Sequence, residues 1–372
     1  MNILITGSTG FIGKHLKNTL NYKHSKKFTV TGLNKKDFTD QKVLDNKVKQ
    51  SSVIVHLAAI NRHSDQDFLL ETNIDLSKKI IESIEKVNFK GKVIFASSTQ
   101  ETLKNKYGKS KSISRNLFIE SSKKNNFTFT ALIIPNVFGP FGKPNYNSFI
   151  PTFCVNIIKD QEVEIINNNQ VKLIYIDNLI KIIVHEFQNE SSNYLKKLKE
   201  DIITTVEEVR DKLIEYRSYY IIKSSIPDFQ TEFDLNLFNT FRSYINHDEF
   251  FPVKHLQNTD DRGDFVEIIR SYSKGQYSFS TTKPNITRGN HFHTRKIERF
   301  SVIHGEALIK LRKIGTNNIL EFKLNGNTPS YVDMPIWYTH NIKNIGSDNL
   351  TTLFWINEPY EQDDTDTYIE NV

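Results

Sequence analysis

The sequence predicts an α/β domain with a doubly wound parallel sheet, followed by an all-β barrel. The first half alternates short β-branched runs with amphipathic stretches, the pattern of parallel strands joined by helices. Beyond Phe251-Pro252, short strand-like runs recur at regular spacing between turn residues, which is typical of a barrel or sandwich. Since single cores stop growing at about 250–300 residues, a chain of 372 residues is expected to form two domains, residues 1–246 and 252–372.

The runs that predict strands in the first domain are residues 3–6, 28–33, 53–57, 93–96 and 129–134. From Asp177 to Asn246 the pattern becomes mainly helical, and the charged segment 196–201 resembles an exposed helix face. The strand-like runs of the second domain are residues 264–269, 277–280, 300–303, 307–311 and 351–355.

The composition indicates a water-soluble protein, with 38% hydrophobic residues, 25% charged residues and a mean hydropathy of -0.46. No apolar run approaches the ~20 residues of a membrane span, and the N-terminus lacks the pattern of a secretory signal. A cytoplasmic protein that does not bind membranes is therefore expected. The net charge of +6 comes from scattered lysines with few aromatic residues among them, which argues against nucleic-acid binding.

A glycine motif directly follows the first predicted strand and opens the first predicted helix. The segment Gly7-Ser8-Thr9-Gly10-Phe11-Ile12-Gly13 has glycines at every third position. In this context the first two let the backbone turn tightly and approach a pyrophosphate, while the third permits close packing of the helix on the sheet. The motif predicts a dinucleotide-binding site.

The end of the second predicted strand indicates which nicotinamide cofactor is bound. An acid at this point would bind the ribose hydroxyls of NAD, but the sequence reads Asn34-Lys35-Lys36. Lysines suit the 2′-phosphate of NADP, so NADP is favoured. The alternative is that both lysines are solvated side chains of a loop.

Tyr107 and Lys111 have the spacing that places two side chains one helical turn apart on the same face. Other Tyr-x-x-x-Lys pairs occur by chance, but only this pair follows the strand that ends in Ser97-Ser98. Hydride addition to a ketone leaves charge on oxygen, which a phenol can neutralise if an adjacent ammonium lowers its pKa. We therefore predict that Tyr107 is the acid, that Lys111 tunes it and holds ribose hydroxyls, and that Ser98 donates to the carbonyl.

Residues 1–245 resemble the extended short-chain dehydrogenase/reductases, which mostly act on nucleotide sugars. The resemblance implies that Leu57, Ala58 and Ala59 also contact the cofactor. One position departs from the pattern, because Ile133 stands where many members have Arg. The resemblance rests on the glycine motif, His56-Leu57-Ala58-Ala59, Asn73, Ser98, Tyr107, Lys111, the segment 135–140 and Tyr175-Ile176-Asp177.

The second domain contains a candidate metal site. His291 and His293 have the period of 2 that points both imidazoles to one side of a strand, and Glu298 and His340 complete a donor set for a divalent transition metal. The segment 291–305 has the spacing of the first cupin motif, ending at Gly305. Residues 335–344 nearly match the second motif, with Trp337 in place of its glycine, where we expect a reshaped pocket mouth. The alternative is that both histidines are structural polar residues of the barrel.

A reductase followed by a cupin in a chain of this length resembles the CapF family of capsular polysaccharide synthesis enzymes. The resemblance extends to the segments 143–148, 260–263 and 338–341. It implies action on a UDP-2-acetamido-2,6-dideoxy-hexos-4-ulose, on the route to UDP-N-acetyl-L-fucosamine. The cupin would epimerise carbon 3, and the reductase would use NADPH on the ketone at carbon 4. Zinc and a homodimer are also implied.

Two other functions remain open on the sequence. One is an epimerase or dehydratase that recycles tightly held NAD and has a purely structural barrel. The other is a sugar-nucleotide sensor that binds without turnover, although the intact Ser98, Tyr107 and Lys111 argue against it. The residues themselves leave open which carbon is epimerised and which residue removes the proton.

Overall fold

Six parallel strands in the order β2-β1-β3-β4-β5-β8 form the main N-terminal sheet of the computed structural model, which describes residues 1–372. A second sheet has the order β6-β7-β9. The N-terminal strands are β1 (Asn2–Thr6), β2 (Thr29–Leu33), β3 (Val53–His56), β4 (Lys92–Ser98), β5 (Thr128–Ile134), β6 (Asn136–Phe138), β7 (Gln170–Tyr175), β8 (Asn193–Lys197) and β9 (Ile202–Thr205).

The helices are α1 (Phe11–Lys23), α2 (Gln41–Gln50), α3 (Gln66–Val87), α4 (Lys106–Asn125), α5 (Phe149–Ile158), α6 (Ile176–Glu186), α7 (Val206–Tyr216), α8 (Glu232–Arg242) and α9 (His247–Phe250). A π-helical turn, Arg217–Ile222, follows α7, and short 3₁₀ turns span Lys35–Thr39 and Thr99–Thr102. None of these helices combines the length and the apolar character that a membrane-spanning helix needs.

The strand order of the main sheet reverses between β1 and β3. The chain passes from β1 to β2 on one side and then returns to place β3 on the other side of β1. In open parallel sheets, such a reversal opens a crevice at the carboxyl ends of the two central strands, where ligands bind. The residues that directly follow β1 and β3, Gly7 and Leu57, lie at this crevice.

An apolar core fills the space between this sheet and its helices. Leu4 and Ile54 of the central strands are fully buried, as are Ile80 of α3 and Phe118 of α4. The four strands β1, β3, β4 and β5 read as nearly continuous apolar runs because they are covered on both faces. The core holds the carboxyl ends of these strands, and hence the loops of the site, in fixed positions.

The charged segment 196–201 was expected to be a helix face, and this prediction is wrong. Residues 193–197 form the edge strand β8, which pairs parallel to β5, with Lys197 opposite Ile133. The exposed and half-buried residues alternate along β8. Pairing with a neighbouring strand, which local helix propensity does not register, decides the structure here.

Two five-stranded antiparallel sheets with the orders β10-β18-β15-β20-β13 and β17-β16-β19-β14-β21 form the C-terminal region. Together with the N-terminal parallel sheet, they confirm the predicted fold class. A separate hairpin joins β11 to β12. The strands are β10 (Val253–Lys254), β11 (Gln257–Asp260), β12 (Gly263–Val266), β13 (Gln276–Thr282), β14 (Thr287–Phe292), β15 (Glu298–His304), β16 (Glu306–Lys313), β17 (Ile319–Asn325), β18 (Ser330–Met334), β19 (Tyr338–Asn344), β20 (Leu350–Ile356) and β21 (Tyr368–Ile369).

By its internal contacts the chain divides into two compact units, residues 1–152 with 166–206, and residues 153–165 with 207–372. The segment 207–250 therefore packs with the barrel. The Tyr220 hydroxyl donates to Asp333 of β18 at 2.6 Å, and an Arg242 N–H donates to the Met334 carbonyl at 3.2 Å. The predicted boundary between the reductase and cupin domains, at residues 246–252, stays a prediction.

Candidate functional site

The glycine motif forms a tight turn against the end of β3. Gly7 has a φ of +65°, and a Cβ on it would lie 3.0 Å from the backbone of Ala58. A Cβ on Gly13 would lie 2.2 Å from the Gly7 carbonyl oxygen. Only glycine fits the two positions, because the first needs a left-handed backbone and both lack space for a side chain. The turn has the close packing expected of a pyrophosphate-binding loop.

The start of α1 is suited to an anion. Its N-cap is Gly10, which supplies no side-chain hydrogen bond to the free N–H groups of the first turn. These N–H groups and the helix dipole favour negative charge at this end. Thr9 is exposed, while Phe11 and Ile12 are half-buried. The predicted residues around the turn therefore lie at the opening of α1.

The loop after β3 is fastened to β1 by Thr6. The buried Thr6 hydroxyl oxygen accepts hydrogen bonds from the N–H groups of Leu57 and Ala58, both at 3.0 Å, and lies 2.9 Å from His56 Nδ1. Leu57, Ala58 and Ala59 are half-buried. The structure thus brings both predicted cofactor-contacting segments together at the crevice. Sequence reasoning missed Thr6.

The lysines after β2 lie on the 3₁₀ turn Lys35–Thr39. Asn34 caps this turn by accepting from the N–H groups of Lys36 and Asp37, at 2.8 and 3.3 Å. Lys35 and Lys36 are exposed, whereas Asp37 forms an ion pair with Lys47 at 2.8 Å. Because the one acid of this turn is paired and both lysines are exposed, the turn presents positive charge to solvent.

Lys111 lies beneath Tyr107 at the start of α4. Its ammonium is buried, donates to the Ala96 carbonyl oxygen at 2.9 Å and lies 5.6 Å from the centroid of the Tyr107 ring. Burial lowers the pKa of Lys111 to about 8, although Glu101 acts to raise it. The helical spacing thus brings the predicted pair to one place.

The pKa of the Tyr107 phenol differs from the sequence-based expectation. Burial, with a contribution from Tyr146, raises it to about 12. The expected lowering of this pKa is absent, because burial disfavours the charged phenolate. The phenol is therefore protonated at neutral pH, which is the state required of a proton donor to a ketone oxygen.

Gly108 brings α4 close to the turn that carries Ser98. A Cβ on Gly108 would lie 1.9 Å from the Gln100 carbonyl oxygen. The Ser98 hydroxyl oxygen accepts from the Gln100 N–H at 3.2 Å. The missing side chain at Gly108 therefore lets the helix of Tyr107 pack directly on the turn of Ser98. Sequence reasoning missed this contact, although a glycine inside a helical pattern signals close approach.

His291, His293, Glu298 and His340 converge in the C-terminal unit, with one potential ligand atom from each within 4.8 Å of all the others. His291 of β14 pairs with His340 of β19, while Glu298 comes from β15 of the facing sheet. The Glu298 carboxylate lies 3.2 Å from His293 Nε2 and 3.3 Å from His340 Nε2. The cluster thus joins the two sheets.

The tautomer of His293 is decided by its second nitrogen. Nδ1 lies 2.7 Å from the Asp366 carbonyl oxygen. A carbonyl only accepts, so Nδ1 carries a proton, and in the neutral ring Nε2 has the lone pair that a metal ligand needs. The Asp366 carboxylate in turn accepts from the N–H groups of Thr294 and Arg295 at 3.0 and 2.8 Å. Metal-binding histidines are usually held in this way, and no sequence motif pointed to Asp366.

The donor set fits a divalent cation. His293 Nε2, His340 Nε2 and a Glu298 carboxylate oxygen are buried and form no hydrogen bond. Burial would raise the pKa of Glu298, but His293 and His340 hold it well below its usual value. Buried polar atoms without partners are costly, and three nitrogens with one carboxylate oxygen are ligands that suit zinc.

Trp337 occupies the motif's glycine position in a left-handed conformation, with a φ of +61°. Its backbone N–H donates to the His293 carbonyl oxygen at 2.7 Å. Its indole ring is buried and stacks on the Phe292 ring, with 5.5 Å between the ring centroids. The effect of Trp337 on the pocket mouth stays a prediction. The side chain packs inward, while the backbone keeps the conformation that the motif provides with glycine.

Fold and geometry define a protein with an NAD(P)-binding unit and a β-barrel that carries a potential metal site. Residues 3–195 match the NAD dependent epimerase/dehydratase family, and residues 258–368 match the polysaccharide biosynthesis C-terminal domain. The chain belongs to the NAD dependent epimerase/dehydratase family and, over its whole length, to the CapF family within it.

Two full-length relatives support this assignment. The chain is 30% identical to UDP-2-acetamido-2,6-beta-L-arabino-hexul-4-ose reductase of Pseudomonas aeruginosa, over 99% of this chain and 98% of that protein. It is 30% identical to the crystal structure of the capsular polysaccharide assembling protein CapF of Staphylococcus aureus, with a TM-score of 0.64 and full coverage of both chains.

A more distant structure shows the fold of the N-terminal part alone. RMD of Pseudomonas aeruginosa, complexed with NADPH, is 15% identical over 58% of this chain and 83% of its own, with a TM-score of 0.53.

Proposed function

We propose that the chain is a bifunctional nucleotide-sugar enzyme. Its barrel epimerises carbon 3 of a UDP-2-acetamido-2,6-dideoxy-hexos-4-ulose, and its N-terminal unit reduces the ketone at carbon 4, in UDP-N-acetyl-L-fucosamine synthesis. The observation that carries the proposal is full-length similarity to a reductase named for a UDP-hexulose substrate, in a chain with two chemically different sites.

In the proposed reduction, NADPH, when bound, would supply the hydride that adds to carbon 4 of the sugar. The ketone oxygen becomes a hydroxyl by taking the proton of the Tyr107 phenol. Ser98 donates a hydrogen bond to the same oxygen, and Lys111 stabilises the phenolate that remains. The Tyr107 phenol, whose pKa is raised to about 12 by burial, is protonated before the reaction and has the proton to donate.

The preference for NADPH is part of the proposal. Exposed Lys35 and Lys36, with their neighbour Asp37 already paired to Lys47, support binding of a 2′-phosphate. Positive charge at the end of β2 is the feature that distinguishes NADP sites from NAD sites.

In the proposed epimerisation, a proton leaves carbon 3, beside the ketone, and another returns on the opposite face. A divalent cation, which we infer to be zinc, would act as a Lewis acid that makes this proton removable. His291, His293, Glu298 and His340 would hold it. Two observations support this assignment. The Nε2 atoms of His293 and His340 are buried without a hydrogen-bond partner, and the Asp366 carbonyl oxygen accepts a hydrogen bond from His293 Nδ1.

The proposal is tested by incubating the metal-loaded chain with a UDP-4-keto-6-deoxy-N-acetylhexosamine in D₂O. Without NADPH, deuterium should enter the position beside the ketone. When NADPH is added, nicotinamide absorbance should fall stoichiometrically with the reduced sugar. Tightly held NAD without NADPH consumption would instead identify a recycling epimerase or dehydratase, and binding without either reaction would identify a sensor. The expected homodimer and cytoplasmic location stay predictions.

A further inference from the structure

The interior of the barrel has a part that holds the four candidate metal ligands and a part filled by apolar side chains, and the first is less buried than the second. Ile309 and Ile342 belong to the buried apolar core. The register of β15 with β20 puts Phe300 and Phe354 on the same face as Glu298, since side chains alternate along a strand. Both phenylalanines are only half-buried. This first part therefore gives a ligand access to the cluster.

A β-bulge places Arg288 on the same face of β14 as His291, one step further along the strand and opposite Ile342 of β19. Two residues of β14, Gly289 and Asn290, lie opposite the single residue Asn341 of β19. In a regular strand, residues three apart lie on opposite faces, so Arg288 and His291 would be separated. The extra residue restores them to one face. Gly289 and Asn290 have φ values of +102° and +58°, and the Asn341 amide donates to the Asn290 side chain at 2.9 Å.

The charge of Arg288 has no carboxylate partner. Its guanidinium donates to the Thr282 hydroxyl at 3.0 Å and to the Thr281 carbonyl at 3.1 Å, both of which are neutral. The residue is exposed. The other five arginines of residues 251–372 all form ion pairs, namely Arg262, Arg270, Arg295, Arg299 and Arg312.

We propose that Arg288 binds the diphosphate of the nucleotide sugar in the barrel. This proposal rests on the function proposed above. A guanidinium held by two neutral acceptors keeps its full charge and N–H groups that match phosphate oxygens. Arg288 and His291 are two pleat positions apart, roughly 7 Å along the strand. A diphosphate at Arg288 therefore leaves the attached sugar ring to reach toward the metal ligands.

The test compares Arg288→Gln with Arg262→Gln, which removes the same charge from a side chain that is 89% exposed. Calorimetric titration of the metal-loaded chain with UDP should find two sites in the wild type and in Arg262→Gln, one for each proposed active site. In Arg288→Gln one site should weaken about 10–100-fold, the usual effect of losing a charged hydrogen bond. Metal content should not change.

Deuterium exchange from the solvent gives a second measurement. The KM of the UDP-ketosugar for exchange should rise by a similar factor in Arg288→Gln, with kcat within a few-fold of wild type, and Arg288→Lys should recover part of the loss. Unchanged UDP affinity and unchanged KM in Arg288→Gln, or a single UDP site in the wild type, would overturn the proposal. If the wild type shows no exchange, the epimerase function fails, and the UDP titration alone then decides the role of Arg288.

Discussion

His293 donates a hydrogen bond through Nδ1 to the backbone carbonyl of Asp366, at 2.7 Å and 73 positions further along the chain. Asp366 adopts a left-handed backbone with a φ of +44°. Its carboxylate holds this conformation by accepting from the N–H groups of residues 294–296. The orientation of a predicted metal ligand thus depends on a residue near the end of the chain.

We predict that Asp366→Ala weakens metal binding by about 10–100-fold, the usual effect of removing a partner of a ligating histidine. Loss of the carboxylate frees residues 294–296 and lets the carbonyl move away from His293. Metal affinity is measured by competition with a chelator of known affinity. The exposed neighbour Asp363, changed to Asn, is the control. Equal affinity in both variants and the wild type would show that His293 does not need this support.

The two proposed activities should be separable by single substitutions. Tyr107→Phe keeps the ring but removes the phenolic proton, so NADPH oxidation should fall by about 10²–10⁴, the contribution of a positioned general acid. Deuterium exchange should continue. His293→Ala should stop exchange because a metal ligand is lost. If Tyr107→Phe, correctly folded and fully metal-loaded, also abolished exchange, both steps would share the N-terminal site.

The cofactor preference should depend on the turn after β2. Replacing Lys35 with Asp and Lys36 with Ala should raise the KM for NADPH by about tenfold or more, since each charged hydrogen bond contributes ~1.5–3 kcal/mol. The KM for NADH should change little. Lys49→Asp changes an exposed lysine elsewhere and is the control. A parallel loss for both cofactors would show that the two lysines do not distinguish them.

The rate of reduction should fall as the pH rises through about 8. The pKa of Lys111 is lowered to about 8 by burial, so its ammonium is lost above that pH, while Tyr107, with a pKa raised to about 12, stays protonated. Without the positive charge the phenolate left after proton transfer is not stabilised, and the rate should drop by up to tenfold per pH unit. In Lys111→Arg the fall should move to higher pH, and a flat profile to about pH 10 in the wild type would contradict this role.

Gly108→Ala should reduce both stability and reductase activity. The added methyl group would meet the Gln100 carbonyl at 1.9 Å, so α4 must move away from the turn of Ser98. Overpacking of this kind costs about 1–3 kcal/mol, measured as a change in the free energy of unfolding. Lys109→Ala, at an exposed position of the same helix, is the control. Wild-type NADPH turnover in Gly108→Ala would show that this close contact does not position the reductase site.

The sequence alone was enough to predict the parallel sheet, the barrel and the two groups of site residues, because each rests on local information. Glycine spacing at a strand end, a Tyr-Lys pair at helical spacing and two histidines at strand spacing are each patterns of a few neighbouring residues. Trp337 shows the limit of such motifs. The sequence shows that tryptophan replaces the glycine of the motif, but only the structure shows that the backbone of Trp337 has a left-handed conformation.

Features that depend on contacts between residues far apart in the sequence were decided by the tertiary structure. The segment 193–197 is a strand because β5 offers an edge with which it pairs, and Asp366 supports His293 only because the chain end returns to the cluster. The phenol of Tyr107 has a raised pKa because folding buries it, with a further contribution from Tyr146. Arg288 lies on the same face of β14 as His291 because strand pairing inserts one extra residue into that strand. Pairing register and burial arise from the whole fold, so no local spacing encodes them.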